Sequence, residues 1–157
     1  MRDALLQHAM VSDRSSLIAS IDSALYTRML RPTQLADLVD ALPARLKSVA
    51  REIDARSMSG TETKMRLACV AAGLRVDIQV TIPGVGTVDL LIDEWLIVEV
   101  DSRKHHDEPI QQHKDRVRDG NSVLGRFGHV RVDYLLVQHE LSWCMDVIFA
   151  RLAEGRP

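Results

Sequence analysis

Apolar positions in the first third of the chain recur at helical spacing, and those in the middle alternate as strands do. Residues 1 to about 57 read as helices only. Leu17, Ile18, Ile21, Leu25 and Met29 predict one helix, opened by a Ser12-Asp13 cap and broken at Arg31-Pro32. Thr33 is the expected cap of a second helix, with Leu35, Leu38, Val39 and Leu42 on its apolar face. Pro43 opens a third segment carrying Leu46, Val49, Ala50 and Ile53. After a loop at 57–60, a helix capped by Ser59 or Thr61 is predicted to about Ala72, closed by Gly73. Its expected buried face is Met65, Leu67, Ala68, Val70 and Ala71.

Strand signals follow. Val76, Ile78, Val80 and Ile82 alternate with Asp77, Gln79 and Thr81. Pro83-Gly84-Val85-Gly86 turns the chain into Thr87–Ile92, and Asp93-Glu94 turns it again into Trp95–Val100. That third run is nearly all apolar, so a central position is expected. Glu108 to about Leu124 reads as a helix with Pro109 in its first turn. His129–Tyr134 alternates as a fourth strand, and Leu141 to about Ala153 reads as a closing helix with Trp143, Val147, Ile148 and Leu152 as core candidates. The order α-β-β-β-α-β-α predicts an α/β fold: a mixed sheet flanked by helices, covering 57–157, behind an N-terminal helical region at 1–56.

Composition narrows the class without naming it. A chain of 157 residues with net charge −2 fills one ordinary core and has no general attraction for nucleic acid or anionic membrane. No run is long enough to span a membrane, and Met1 to Met10 lacks a signal-peptide core, so a cytoplasmic protein without a membrane partner is expected. Cys69 and Cys144 are far apart and expected to be buried free thiols.

Three acids break the strand pattern. Asp89 interrupts the second strand, and Glu99 and Asp101 close the third at i and i+2, which puts them on one face. Carboxylates converging at a strand end repel unless a cation sits among them, and all-oxygen ligands favour magnesium or manganese. Glu62, in the first turn of its helix, either complements the helix dipole or adds a fourth carboxylate. Gln79 could reach the site from the neighbouring strand, although a plain solvent-facing position is the simpler expectation. Between Arg103 and Arg131 seven Lys/Arg face four Asp/Glu, with four histidines, so the chain beside the acids is locally basic. A nucleic-acid backbone could bind there in a salt-dependent manner.

This element order with Asp89 and Glu99 resembles the PD-(D/E)xK nuclease superfamily. Asp101 stands where most members have Lys, which resembles one branch, the very-short-patch-repair-endonuclease-like domains. The stretch around Glu62, Ile82 to Asp89, His106 with Glu108-Pro109, Asp115 to Asp119, and Val130 to Tyr134 carry the likeness over about residues 57 to 154. Residues 1–56 resemble the linking helices of actinobacterial proteins in which an AbiEi-type antitoxin-like module precedes such a domain.

The resemblance implies a restriction-endonuclease-like sheet and a Mg2+- or Mn2+-dependent endonuclease acting in repair or defence, with DNA the expected substrate. Asp89 and Glu99 would hold the metal, with Asp101 and Glu62 as further ligands. His106 would transfer the proton, with His105 second, and Lys104, Arg116, Arg118 and Arg131 would meet the nucleic acid. The Lys-to-Asp departure at 101 keeps a second expectation open: a nuclease-fold module that binds nucleic acid or regulates, antitoxin-like, without turnover. In a third, the N-terminal helices form a homodimer surface and are the working part of the protein.

Overall fold

The structure is a computed structural model that describes residues 1–101 and 120–157. It is mixed α/β: N-terminal helices, a four-stranded mixed sheet and C-terminal helices. The chain forms two compact units, Met1–Leu67 and Ala68–Pro157.

The first unit is helical. α1 (Arg2–Val11), α2 (Arg14–Tyr26) and α3 (Leu35–Ala41) are joined by 3-10 turns at Pro32–Gln34 and Ala44–Arg51, and α4 begins at Gly60 and runs to Ala71. Leu17, Ile18, Ile21, Leu38 and Val49 are fully buried at its centre, as the helical spacing marked, whereas α2 ends at Tyr26, so Leu30 is buried in place of the predicted Met29, which is exposed. Ala50 is exposed, because the segment after Pro43 winds as a 3-10 helix and rotates away from the α-period. Thr33 caps nothing. It lies within a 3-10 turn, where the Gln34 side chain accepts the Arg31 N–H at 3.1 Å and takes the capping role instead.

Asp13 is the N-cap of α2. Its carboxylate accepts the Ser16 N–H at 2.9 Å and the hydroxyls of Ser15 and Ser16 at 2.6 and 2.7 Å. The Ser15 hydroxyl, then the Ser16 amide and hydroxyl, hold this carboxyl well below the usual range. Asp13→Ala should cost about 1 kcal/mol in urea unfolding at neutral pH. A lowered folded pKa gives stability that is complete above the unfolded value near 3.9 and is lost as pH falls toward the folded one. The gap between the two proteins should therefore narrow in acid. A gap that widens there would rule out the cap as its source.

A buried acid ties the unit together. Asp22 accepts the Asp54 N–H at 2.8 Å, the Thr63 hydroxyl at 3.0 Å and the Arg66 guanidinium at 2.9 Å. Arg66 also donates to the Glu52 carbonyl at 2.7 Å. One carboxylate thus fastens α2 to the 52–54 turn and to the start of α4.

The second unit is built on a sheet of β1 (Val76–Ile82), β2 (Gly86–Ile92), β3 (Leu96–Asp101) and β4 (Gly128–Asp133), in that spatial order. The first two pairings are antiparallel and β3–β4 is parallel. Asp93 and Glu94 both take positive φ, 49° and 66°, and the Trp95 N–H reaches the Ile92 carbonyl at 3.1 Å. The twist of this turn matches a hairpin, and Trp95 adds a third residue between the partnered Ile92 and Leu96. β3 is buried along its length up to Asp101, as its apolar run predicted. β4 passes so close to Trp95 that a Cβ on Gly128 would meet the ring at 2.6 Å, so only glycine fits where this strand starts.

Two helices close the unit where one was expected. Asp133 caps α5 (Tyr134–His139) by accepting the Leu136 N–H at 2.9 Å, so Tyr134 opens a helix and does not end a strand. In α6 (Leu141–Glu154) Cys144 and Ile148 are buried, Val147 and Leu152 partly so, while Trp143 is 49% exposed. Of the four predicted core positions only Trp143 faces out, and Cys144 is buried beside it. α4 departs in the same way: Cys69 is buried, while Val70 and Ala71 are exposed. Both cysteines are free and buried, and burial pushes the Cys69 thiol up to about 12. No helix of the described residues is long and apolar enough to cross a membrane.

Candidate metal and nucleic-acid site

The register of the second unit aligns a polar row across all four strands. Glu99 and Arg131 are partners in the parallel β3–β4 pair. Asp89 lies one step beyond Leu90↔Val98, the last partnered position of the β2–β3 ladder, and so faces Glu99. Gln79 lies opposite Asp89, between the partnered positions Ile78↔Leu90 and Val80↔Val88. The row Gln79–Asp89–Glu99–Arg131 therefore crosses one face, with hydrophobic ladder positions on either side.

Asp89 takes over the ladder where the pairing stops. Its Oδ2 accepts the Val100 N–H at 2.9 Å, so a side chain satisfies an amide that a β2 carbonyl would otherwise bind. Its Oδ1 accepts the Gln79 side-chain amide at 3.3 Å. Gln79 sits at φ 52°, in the left-handed region that a non-glycine residue seldom adopts inside a strand. Such backbone strain persists only where surrounding contacts hold it, and it clusters at functional sites. Gln79 is thus bound to the candidate acid, not simply solvent-facing.

Glu99 is only 8% exposed. A charge kept that far from water needs compensating partners. Asp101 turns toward β4: its Oδ2 lies 3.6 Å from Arg131 Nε, with the two side chains 33% and 50% exposed. The basic strand residue predicted to meet phosphate is thus paired with one of the predicted metal acids.

Glu62 belongs to the first unit. The Ser59 hydroxyl accepts the Glu62 N–H at 3.2 Å, and the Glu62 carboxylate accepts the Met58 N–H at 2.9 Å. These reciprocal bonds resemble a capping box, and they give Glu62 a local task at the start of α4. Lys104, His105, His106, Arg116 and Arg118 lie outside the described residues.

Among the described residues, no group of three or more His, Cys, Asp or Glu side chains is arranged to hold a metal ion. Asp89 and Glu99 do fit a less demanding arrangement. Magnesium dehydrates reluctantly, keeps several waters and is commonly held by one or two carboxylates together with substrate phosphate. An ionised carboxylate has about four lone-pair sites, so two hydrogen bonds leave Asp89 able to bind a cation.

The sequence signals missed two residues near the row. Phe127 precedes β4, and His129 sits two positions before Arg131 on the same face. With Ser122, Val123 and Arg131 they line a cavity of about 300 Å³. The alternation of β4 could have marked His129, since the buried residues of that strand are Gly128, Val130 and Val132. Comparisons with protein-family models, curated proteins and solved structures give no match.

Proposed function

We propose that this protein is a metal-dependent endonuclease of the PD-(D/E)xK kind, with DNA as substrate. One observation supports the reading: the β2–β3 ladder ends at Leu90↔Val98, one residue short of Asp89 on β2 and of the buried Glu99 on β3. Two acids at the parting of two strands are suited to a hard cation. In this reading Asp89 and Glu99 hold Mg2+ or Mn2+, and Gln79 and the Val100 amide orient Asp89. The bound metal supplies charge neutralisation on the phosphate and an activated water. Arg131 meets the phosphate backbone, Asp101 is an auxiliary acid, and His106 moves the proton.

A plasmid-nicking assay with Mg2+, then Mn2+, tests this. Glu99→Ala should lower the nicking rate by about 100-fold or more, with thermal melting confirming that the variant folds. Equal nicking by both folded proteins would remove the carboxylates from the chemistry.

The Asp101–Arg131 pair favours a second reading, a nucleic-acid-binding or antitoxin-like regulatory module without turnover. Asp101 occupies the place of the usual Lys, and Arg131 is held beside it. Salt-dependent DNA binding with no cleavage, and no divalent-metal heat in calorimetry, would favour this module over the enzyme.

A further inference from the structure

The cavity beside β4 has a composition of which the metal reading uses only Arg131. Its described lining is an aromatic ring (Phe127), an aliphatic side chain (Val123), a hydroxyl (Ser122), an imidazole (His129) and a guanidinium (Arg131). Its volume of about 300 Å³ is at the small end of ligand pockets, which run from about 300 to 1,000 Å³. That size suits one small ligand better than a chain segment. A flat ring beside two nitrogen-bearing donors argues for a ligand with a π-face and a negative charge.

The walls are held in place. Asn121 donates to the Gly84 carbonyl at 2.6 Å, which ties the helical residues 120–124 to the β1–β2 turn. The Phe127 N–H reaches the Ser122 carbonyl at 2.9 Å. The Phe127 ring packs against the cluster of Ile82, Val85, Val88, Leu91 and Ile97, and Arg156 lies over it at 6.0 Å from the centroid. Arg131 is available by exchange. Its pair with Asp101 is half-exposed and long, the kind worth about 0–1 kcal/mol, and a phosphate offers the same guanidinium a bidentate partner.

We infer that this cavity is a nucleotide subsite, taking a phosphorylated nucleoside with its base against Phe127 and its phosphate at Arg131. The register makes Arg131 the partner of Glu99, so the bound phosphate lies next to the carboxylate row. The inference deepens the nuclease reading by naming what sits beside the acids, and rests on that reading for its role. Its binding can be measured without turnover.

Calorimetry without divalent metal tests it, using adenosine 5′-monophosphate, adenosine, inorganic phosphate and a short 5′-phosphorylated single-stranded DNA. The monophosphate or the DNA should bind, and their relative affinity tells a free nucleotide from a strand residue. Arg131→Ala should weaken the phosphorylated ligands by about tenfold or more and leave adenosine unchanged. Phe127→Leu, chosen to keep the hydrophobic contact, should weaken nucleotide and nucleoside about tenfold and leave phosphate unchanged. His129→Ala, read the same way, serves if Phe127→Leu does not fold, and should weaken nucleotide binding.

Phosphate binding as tightly as the monophosphate, or no binding by any probe, overturns the inference. The nuclease reading fails separately. Asp89→Asn should abolish nicking and keep nucleotide binding, whereas nucleotide binding by a wild type that never nicks removes the enzyme and leaves the subsite.

Discussion

Asp22→Ala should lower the unfolding free energy by about 3–5 kcal/mol, the cost of removing one partner from a buried ion pair. Asp22 is fully buried and Arg66 nearly so. The variant leaves the guanidinium with only the Glu52 carbonyl among the partners described above, and strips acceptors from the Asp54 amide and the Thr63 hydroxyl. Domains of this size are stable by about 5–15 kcal/mol, so the loss is a large fraction of the whole. Urea unfolding followed by circular dichroism measures it, and a loss below about 1 kcal/mol would show that the network is marginal.

The pH dependence of that loss has a definite sign. Burial raises the Asp22 carboxyl above its ordinary value, against the pull of the Asp54 amide, Thr63 and Arg66. A raised folded pKa gives stability that is complete below the unfolded value near 3.9 and fades as pH rises through the folded one. The gap between wild type and Asp22→Ala should therefore shrink from acid toward neutrality. The double variant Asp22→Leu with Arg66→Met should recover much of the loss, because buried pairs are often replaced by apolar side chains at little cost.

The sequence carried the local structure well because its signals are local. Paired turn residues at Asp93-Glu94, glycines at 84 and 86, and alternation in β1 define the hairpins, and these form as expected. Asp13 was readable as a cap for the same reason. The errors came where a face had to be chosen with apolar residues on several sides. Trp143 was placed inward with Val147, Ile148 and Leu152, and of these Trp143 alone is exposed while the neighbouring Cys144 is buried, a choice that hydropathy alone does not resolve. Tyr134 fits the strand alternation, but Asp133 caps a helix and stops the strand.

The site was legible in its residue types and not in its pairings. Asp89 and Glu99 stood out because a buried strand seldom carries acids. That they come to the same level depends on the β2–β3 register, in which three residues, 93–95, lie between the partnered Ile92 and Leu96, and which the acids' own positions do not reveal. The Asp101–Arg131 pair joins strands separated by some thirty residues of chain, so no spacing rule reaches it. The left-handed Gln79 has no local signal, since glutamine has no special tolerance for positive φ.

Asp89→Asn should reduce Mg2+-dependent nicking by at least about 100-fold, equal to about 2.7 kcal/mol of barrier, while leaving the fold intact. The substitution keeps shape and one acceptor. The asparagine oxygen can accept the Val100 N–H, and its amide can donate to Gln79 once that side chain turns its oxygen inward. The ladder end therefore survives, and melting should shift by no more than about 3 °C. What disappears is the charge that would hold a divalent cation beside Glu99. Removing a negative charge next to a phosphate path should also leave DNA affinity unchanged or slightly tighter, and a filter-binding curve at two salt concentrations separates that from lost chemistry. Asp101→Asn sets the scale: its carboxylate is engaged with Arg131, so its loss should slow nicking less than Asp89→Asn does. If Asp101→Asn were the more damaging, the working acids would lie along the β3–β4 seam, and the opening between β2 and β3 would be structural.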